Sequence, residues 1–193
     1  MKVKVINLNS RPDRLIQVTS ELQKLEITEF ERFPAYSKPD AYRGNALSHM
    51  ACLQSGCNLI FEDDVFFDPG AKLVFEKAIN QLPADAHILY LGGNIISPIH
   101  RYSENLYRCT NAWGSYAIYY TEKGLEWIVQ RYDPKADPFI IYDEWLREQS
   151  AGELQAYMVS PVIAWTSAGF SDVNGQIEDY TPGMREHARK HMQ

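Results

Sequence analysis

Three consecutive acids, Glu62, Asp63 and Asp64, stand at the end of the apolar run Asn58-Leu59-Ile60-Phe61, and apolar character returns at once with Val65-Phe66-Phe67. Carboxylates crowded at the end of a buried strand repel one another, and a hard divalent cation or a metal-bound phosphate relieves that repulsion. Side chains alternate along an extended chain, so Glu62 and Asp64 project to one side and Asp63 to the other. The first and third acids can therefore share one Mg²⁺ or Mn²⁺, whose open positions a diphosphate would fill. A plain acidic turn capped by Asp63 or Asp64 is the alternative, and apolar neighbours on both sides speak against it.

A second group lies near the start of the chain, where Asn7, Asn9, Arg11 and Arg14 surround Pro12. Arginine presents a rigid fork of donors suited to phosphate oxygens, and an asparagine amide can read a base edge or a ribose hydroxyl. Together they suit a nucleotide. A strand-to-helix turn with solvated arginines accounts for the same residues and stays open. Further along, Tyr142-Asp143-Glu144-Trp145 sets two acids beside an aromatic residue at a helix start, where the helix dipole alone also favours acids. His49 reads as packing beneath a cleft. Asp172 follows Gly169 as a turn former or a further ligand. His187 and His191, four apart on a terminal helix, have no visible third ligand and read as surface residues.

The elements that must position these groups alternate. Lys2 to Leu8 reads as a covered strand, Arg14 to Lys24 as an amphipathic helix, and Phe30 to Ala35 as a short strand. Asn45 to Gln54 carries Leu47, Met50 and Leu53 on one helical face and stops at Gly56. After the acid-tipped strand, Asp68-Pro69-Gly70 turns into a helix closed by Pro83, and His87 to Leu91 is a covered strand ending in Gly92-Gly93, a pair that permits close backbone approach. Residues 94 to 112 show little periodicity and read as a long binding loop. Ser115 to Tyr120 is a strand, Glu122 to Arg131 and Ile140 to Glu148 are helices, and Leu154 to Pro161 is a strand. The tail from Ser167 is polar, with a frayed helix over Glu186 to His191. This order predicts an α/β fold with a mostly parallel sheet and helices on both faces. Ligands of such sheets gather at the carboxyl ends of the strands, where residues 7 to 14, 62 to 64 and 92 to 94 would converge.

The chain has 193 residues, 45% of them hydrophobic, enough for one core and one domain. A net charge of −6 argues against a surface that tracks a phosphate backbone, so nucleic acid is not an expected partner. No apolar run reaches the ~18 residues of a membrane span, and the first residues are too short for a signal peptide, so a soluble, unprocessed chain is expected. Three cysteines without a Cys-x-x-Cys pair predict buried free thiols.

Taken in order, Ile6-Asn7-Leu8-Asn9-Ser10-Arg11-Pro12-Asp13-Arg14, Gly44-Asn45-Ala46-Leu47-Ser48-His49, Phe61-Glu62-Asp63-Asp64-Val65, Leu91-Gly92-Gly93, Gly114-Ser115-Tyr116-Ala117 and Tyr142-Asp143-Glu144-Trp145-Leu146 resemble glycosyltransferase family 25. That family includes lipopolysaccharide-biosynthesis transferases and collagen galactosyltransferase relatives. The resemblance runs from about residue 3 to about residue 175. It implies a GT-A, Rossmann-like fold, with a nucleotide-sugar half over about residues 1–95, an acceptor half over about 96–180, and a tail over 181–193. The implied reaction is a metal-dependent, inverting transfer of a hexose, galactose or glucose, from a UDP-sugar to a hydroxyl of a lipooligosaccharide-like glycan; a modified nucleic-acid base stays open as an acceptor.

By the same resemblance, Asp64 and Glu62, with Asp172 from a late motif, would hold Mn²⁺ or Mg²⁺. Asn7, Asn9, Arg11, Arg14, Asp63 and Gly93 would meet the nucleotide-sugar, and Ser48 its base or ribose side. Asp143, or Glu144 beside it, would take the acceptor proton. Asn45 stands where many relatives carry Cys. The expected location is cytoplasmic, at most peripheral to the inner membrane. A metal-dependent phosphotransferase or phosphohydrolase is the alternative, weakened because neither Asp-x-Asp nor a Walker-type loop ends the first strand. A nucleotide-sugar-binding module without catalysis is the other.

Overall fold

Val3, Val5 and Ile6 make the first strand apolar on both faces, and all five residues of β1 (Val3–Asn7) are buried, as a strand covered on each side requires. The computed structural model describes residues 1–171 and 175–192. Pro12 opens α1 (Pro12–Leu22), which buries Val18 and Leu22 and tightens into a 3-10 turn over Gln23–Leu25. Next come β2 (Glu31–Pro34) and α2 (Ala41–Gln54). The sequence predicts the start of α2 at Asn45, beyond Gly44. The helix begins a turn earlier because the Asp40 carboxylate accepts from the Arg43 N–H at 2.8 Å. Gly44 stays inside the helix because a Cβ there would strike the Tyr36 carbonyl.

The acid-tipped strand is β3 (Leu59–Glu62), followed by β4 (Val65–Phe67), α3 (Ala71–Gln81) and β5 (Ile88–Tyr90). Residues 94 to 112 are not the featureless loop that the sequence suggests. They hold β6 (Asn94–Ile95), β7 (His100–Arg101), β8 (Leu106–Arg108) and β9 (Ala112–Trp113), each too short for alternation to register. Then follow β10 (Ala117–Tyr120), α4 (Glu122–Arg131), α5 (Tyr142–Ser150), β11 (Ala156–Val159), β12 (Ala164–Thr166), β13 (Gly169–Ser171), β14 (Gln176–Glu178) and α6 (Thr181–His191).

Eight strands form the main sheet in the order β2-β1-β3-β10-β5-β11-β8-β7. β2, β1, β3, β5, β11 and β7 run one way, while β10 and β8 run against them. The sheet is thus mixed and mostly of one direction. α2 packs with α4 and α5, whereas α1 and α3 meet through the 3-10 turn, so the helices form two groups. β3, β5 and β11 are buried along their lengths apart from Glu62, which fits a layer of helices on each face. The three cysteines are buried free thiols. Among the described residues, no helix is long and apolar enough to cross a membrane.

α6 corrects the picture of a frayed tail. It buries Met184, and Arg185 pairs with Asp68 at 2.7 Å while lying over the Trp165 ring. Thr181 Oγ1 donates to the Thr166 carbonyl at 2.7 Å. The polar anchors are long-range, so no periodicity announces them.

Candidate functional site

β3 ends at Glu62, and Asp63 and Asp64 turn the chain into β4, which places three carboxylates in three different surroundings. Glu62 Oε1 accepts from Ser115 Oγ at 2.6 Å and lies 3.1 Å from His49 Nε2. Burial pushes its carboxyl up, but His49, Ser115 and Asn45 together outweigh that and hold it below the usual range. Asp63 accepts from Asn7 Nδ2 at 2.6 Å and pairs with Arg14 at 3.2 Å. Burial still raises it, since these partners offset only part of the desolvation.

Asp64 is the least compensated acid of the group. Its nearest cation, Arg14, is 3.9 Å away, and its Oδ1 is buried without a hydrogen-bond partner. Burial and then the negative charge of Glu62 raise its carboxyl to about 7. A carboxylate oxygen shut away from water and from donors is what a hard cation would complete. Mg²⁺ and Mn²⁺ sites often use one or two carboxylates and leave the other positions to water and phosphate, so Asp64 with Glu62 fits such an ion. Among the described residues, no group of three or more His, Cys, Asp or Glu side chains converges as a metal cage. Asp172 lies outside the described residues.

The residues at the end of β1 divide. Asn7 is buried, and its amide is taken up by Asp63, by the Arg11 carbonyl at 2.8 Å and by Arg32 Nε at 2.8 Å. It braces the acids from beneath. Asn9 accepts from Arg32 Nη2 at 2.7 Å and lines a cleft. Arg11 pairs with Asp13 at 3.0 Å. Arg14 bridges Asp63 and the Phe170 carbonyl, the latter at 2.6 Å. Ser48 is buried, donating to the Gly44 carbonyl at 2.7 Å and accepting from the Tyr36 N–H at 2.9 Å, so it ties α2 to the segment before it. Gly93 is buried against the Trp113 carbonyl and Met158 and lines neither cleft.

Two clefts meet at the acids. One, of about 530 Å³, is lined by Asn9, Ser10, Arg14, Ser37 and Asp63. The other, of about 430 Å³, is lined by Trp113, Ser115, Asp143, Tyr180 and His187. Asn45, Glu62, Asp64 and Ser171 belong to both walls. Both volumes fall in the range of small-molecule sites. The first cleft is polar and carries Arg14; the second is aromatic and carries Asp143.

α5 delivers Asp143 to the second cleft and leaves Glu144 outside both. Burial, followed by the charge of Glu62, raises the Asp143 carboxyl, against hydrogen bonds from the Glu144 and Gly114 backbone. Trp145, the aromatic residue beside these acids, is buried against Trp127 and Tyr132. His49 is fully buried, stacked on Tyr142 with ring centres 5.0 Å apart, and touches Glu62 from below.

Several residues at the clefts and beneath them are not placed there by any sequence motif. Arg32 sits in a short strand with no motif around it and reaches Asn7 and Asn9 only because β2 lies beside β1. Trp113, half-exposed in β9, and Tyr180 and His187 at α6 come from stretches that read as loop and tail. The chain matches no protein-family model, and no curated protein matches it.

Proposed function

We propose that this chain is a metal-dependent, inverting glycosyltransferase of GT-A type, moving galactose or glucose from a UDP-sugar to a hydroxyl of a glycan. The observation that supports this most is the junction of two unlike clefts at Glu62 and Asp64, one carrying an arginine and the other a buried carboxylate. A transferase needs two substrates brought together at one atom, with negative charge handled on one side and a proton on the other.

Glu62 and Asp64 would hold Mn²⁺ or Mg²⁺, which when bound supplies positive charge against the departing diphosphate. Arg14 adds to that charge: its Nη2 now donates to the neutral Phe170 carbonyl, which a phosphate oxygen readily replaces. The acceptor hydroxyl attacks the anomeric carbon from the face opposite the diphosphate. As the new C–O bond forms, the bond from that carbon to the phosphate oxygen breaks and its electron pair leaves with UDP. Asp143 takes the hydroxyl proton, and its burial makes it a stronger base than an exposed aspartate. Asn45 and Ser115 fix the Glu62 carboxylate, and Asn7 and Arg32 fix the platform under Asp63.

The direct test is calorimetric titration of UDP into the protein with Mn²⁺, followed by an assay of UDP release from UDP-galactose and UDP-glucose. Mn²⁺-dependent UDP binding and slow donor cleavage are expected. Absence of UDP binding in the presence of Mn²⁺ would overturn the proposal.

A further inference from the structure

The aromatic cleft contains a histidine that neither the acids nor the transfer chemistry use. His187 lies on α6 and Asn94 on β6, 93 positions earlier, and both line the cleft. The two side chains are 2.6 Å apart, from His187 Nδ1 to Asn94 Oδ1. An amide oxygen only accepts, so Nδ1 carries the proton and donates it to Asn94. That bond fixes both the tautomer and the angle of the ring. Nε2 is then the acceptor of the neutral ring. No described residue hydrogen-bonds to it, and His187 forms part of the cleft wall.

Beside the acids, the surroundings of His187 suit a pyranose. Trp113, exposed to 37%, has the Arg147 guanidinium 5.4 Å from its ring centre, which leaves its other side for the C–H face of a sugar. The His187–Asn94 hydrogen bond sets one oriented acceptor among the cleft's aromatic rings, and a fixed polar group of this kind reads a ligand's orientation. α6 is itself held in place by the Arg185–Asp68 pair and by Met184, so the imidazole is presented from a rigid element.

We propose that the His187–Asn94 pair is a hydroxyl-reading element: Nε2 accepts a hydrogen bond from a hydroxyl of the sugar that occupies the aromatic cleft, with Trp113 as the ring platform. This rests on reading that cleft as the acceptor's. It assigns His187 the choice of which sugar, and in which orientation, is offered to Asp143.

Nitrogen-15 NMR of the labelled full chain tests it, with methyl β-D-galactopyranoside and methyl β-D-glucopyranoside as probes in the millimolar range. In the free protein His187 should show a protonated Nδ1 and a bare Nε2, and Asn94→Ala should admit the other tautomer. On titration with at least one glycoside, the His187 Nε2 and Trp113 indole signals should move together and saturate at the same concentration. His187→Phe, which keeps a ring but removes both nitrogens, should weaken that glycoside about fivefold or more, and His187→Gln should recover part of the loss. A protonated Nε2 in the free protein, a Trp113 response without His187, or silence of His187 across both glycosides overturns the proposal. UDP binding with Mn²⁺, measured on the same samples, should be unchanged in His187→Phe. If UDP fails to bind while the glycosides do, the transferase reading falls and the sugar subsite stands.

Discussion

Asn7 and Asp63 lie 56 positions apart and share a hydrogen bond of 2.6 Å, from the amide Nδ2 to the carboxylate Oδ2. The same amide reaches the Arg11 carbonyl and accepts from Arg32, so a single buried side chain joins β1, β2 and the acid tip. Asn7→Ala leaves a buried carboxylate and an arginine short of partners and should cost about 1–3 kcal/mol. Asn7→Asp sets a second carboxylate against Asp63 and should cost more. Urea denaturation of the metal-free protein measures both, and a loss below about 0.5 kcal/mol in either variant would contradict the bracing role.

Asp64→Asn separates stability from function. Removing a charge whose Oδ1 is buried without a hydrogen-bond partner and whose one ion pair, to Arg14, is long should leave the metal-free protein as stable as the parent or more so. Mn²⁺-dependent cleavage of the UDP-sugar should fall by on the order of a hundredfold. Thermal melting and UDP release give the two readings; a destabilised variant with normal turnover would reverse both expectations.

Acidity should tune the metal-free fold in a definite direction. Asp64 titrates at about 7 in the folded protein against an ordinary 3.8, so between those values the folded chain holds a proton that the unfolded chain has released. Its contribution to stability is therefore greatest at low pH and is lost as pH rises from about 4 to about 7. Asp63 and Asp143, also raised, act in the same sense. Glu62, lowered, acts oppositely but only below its ordinary 4.5, and His87, lowered by burial, acts oppositely below its ordinary 6.5. Comparison with Asp64→Asn at each pH isolates the Asp64 share: in EDTA the variant should gain more in Tm over the parent at pH 8 than at pH 5. Mn²⁺ binding by the parent should tighten over the same interval, since the proton must leave first.

Asp143 and Glu144 are neighbours in sequence with different prospects, because only Asp143 lines the cleft. Asp143→Asn should lower transfer by about 10²–10⁴-fold while UDP binding stays within about twofold. Glu144→Gln should stay within about threefold for both, short of the tenfold that a 1.4 kcal/mol loss would bring. Equal losses in the two variants would remove Asp143 as the base.

Gly92 carries a purely structural prediction. A Cβ at this position would collide with the Ala164 carbonyl and crowd the Tyr116 hydroxyl, where β5 passes β12. Gly92→Ala should destabilise by about 1–3 kcal/mol or more, read by denaturant midpoint. A neutral substitution would show that the two segments can separate.

The contrast between α4 and α6 shows what the sequence could disclose. α4 runs over Glu122–Arg131 as its pattern predicts, because Thr121 caps it and its apolar face repeats at helical spacing. α6 begins at Thr181 because of Arg185, Thr181 and Met184, whose partners come from positions as far away as Asp68. The acids at 62 to 64 were legible because apolar strands bracket them. Their distinct environments were not, since Ser115, His49 and Asn7 arrive from three distant parts of the chain. Strand direction is likewise absent from a hydrophobic pattern, which is why the reversal of β10 and β8 could not be read in advance.

β10 joins two distant parts of the chain. It is stitched between β3 and β5, so a segment from the second half of the chain lies inside the sheet begun by the first half. While the protein emerges from a ribosome, β3 and β5 must wait with open edges until residues 117–120 are available to zip them together. Assembly of the middle of the sheet is therefore a late event governed by distant contacts, a topology that slows folding. An isolated fragment ending near residue 95 would lack both β10 and β11, leaving one edge of β3 and both edges of β5 raw, and would invite association with its own copies.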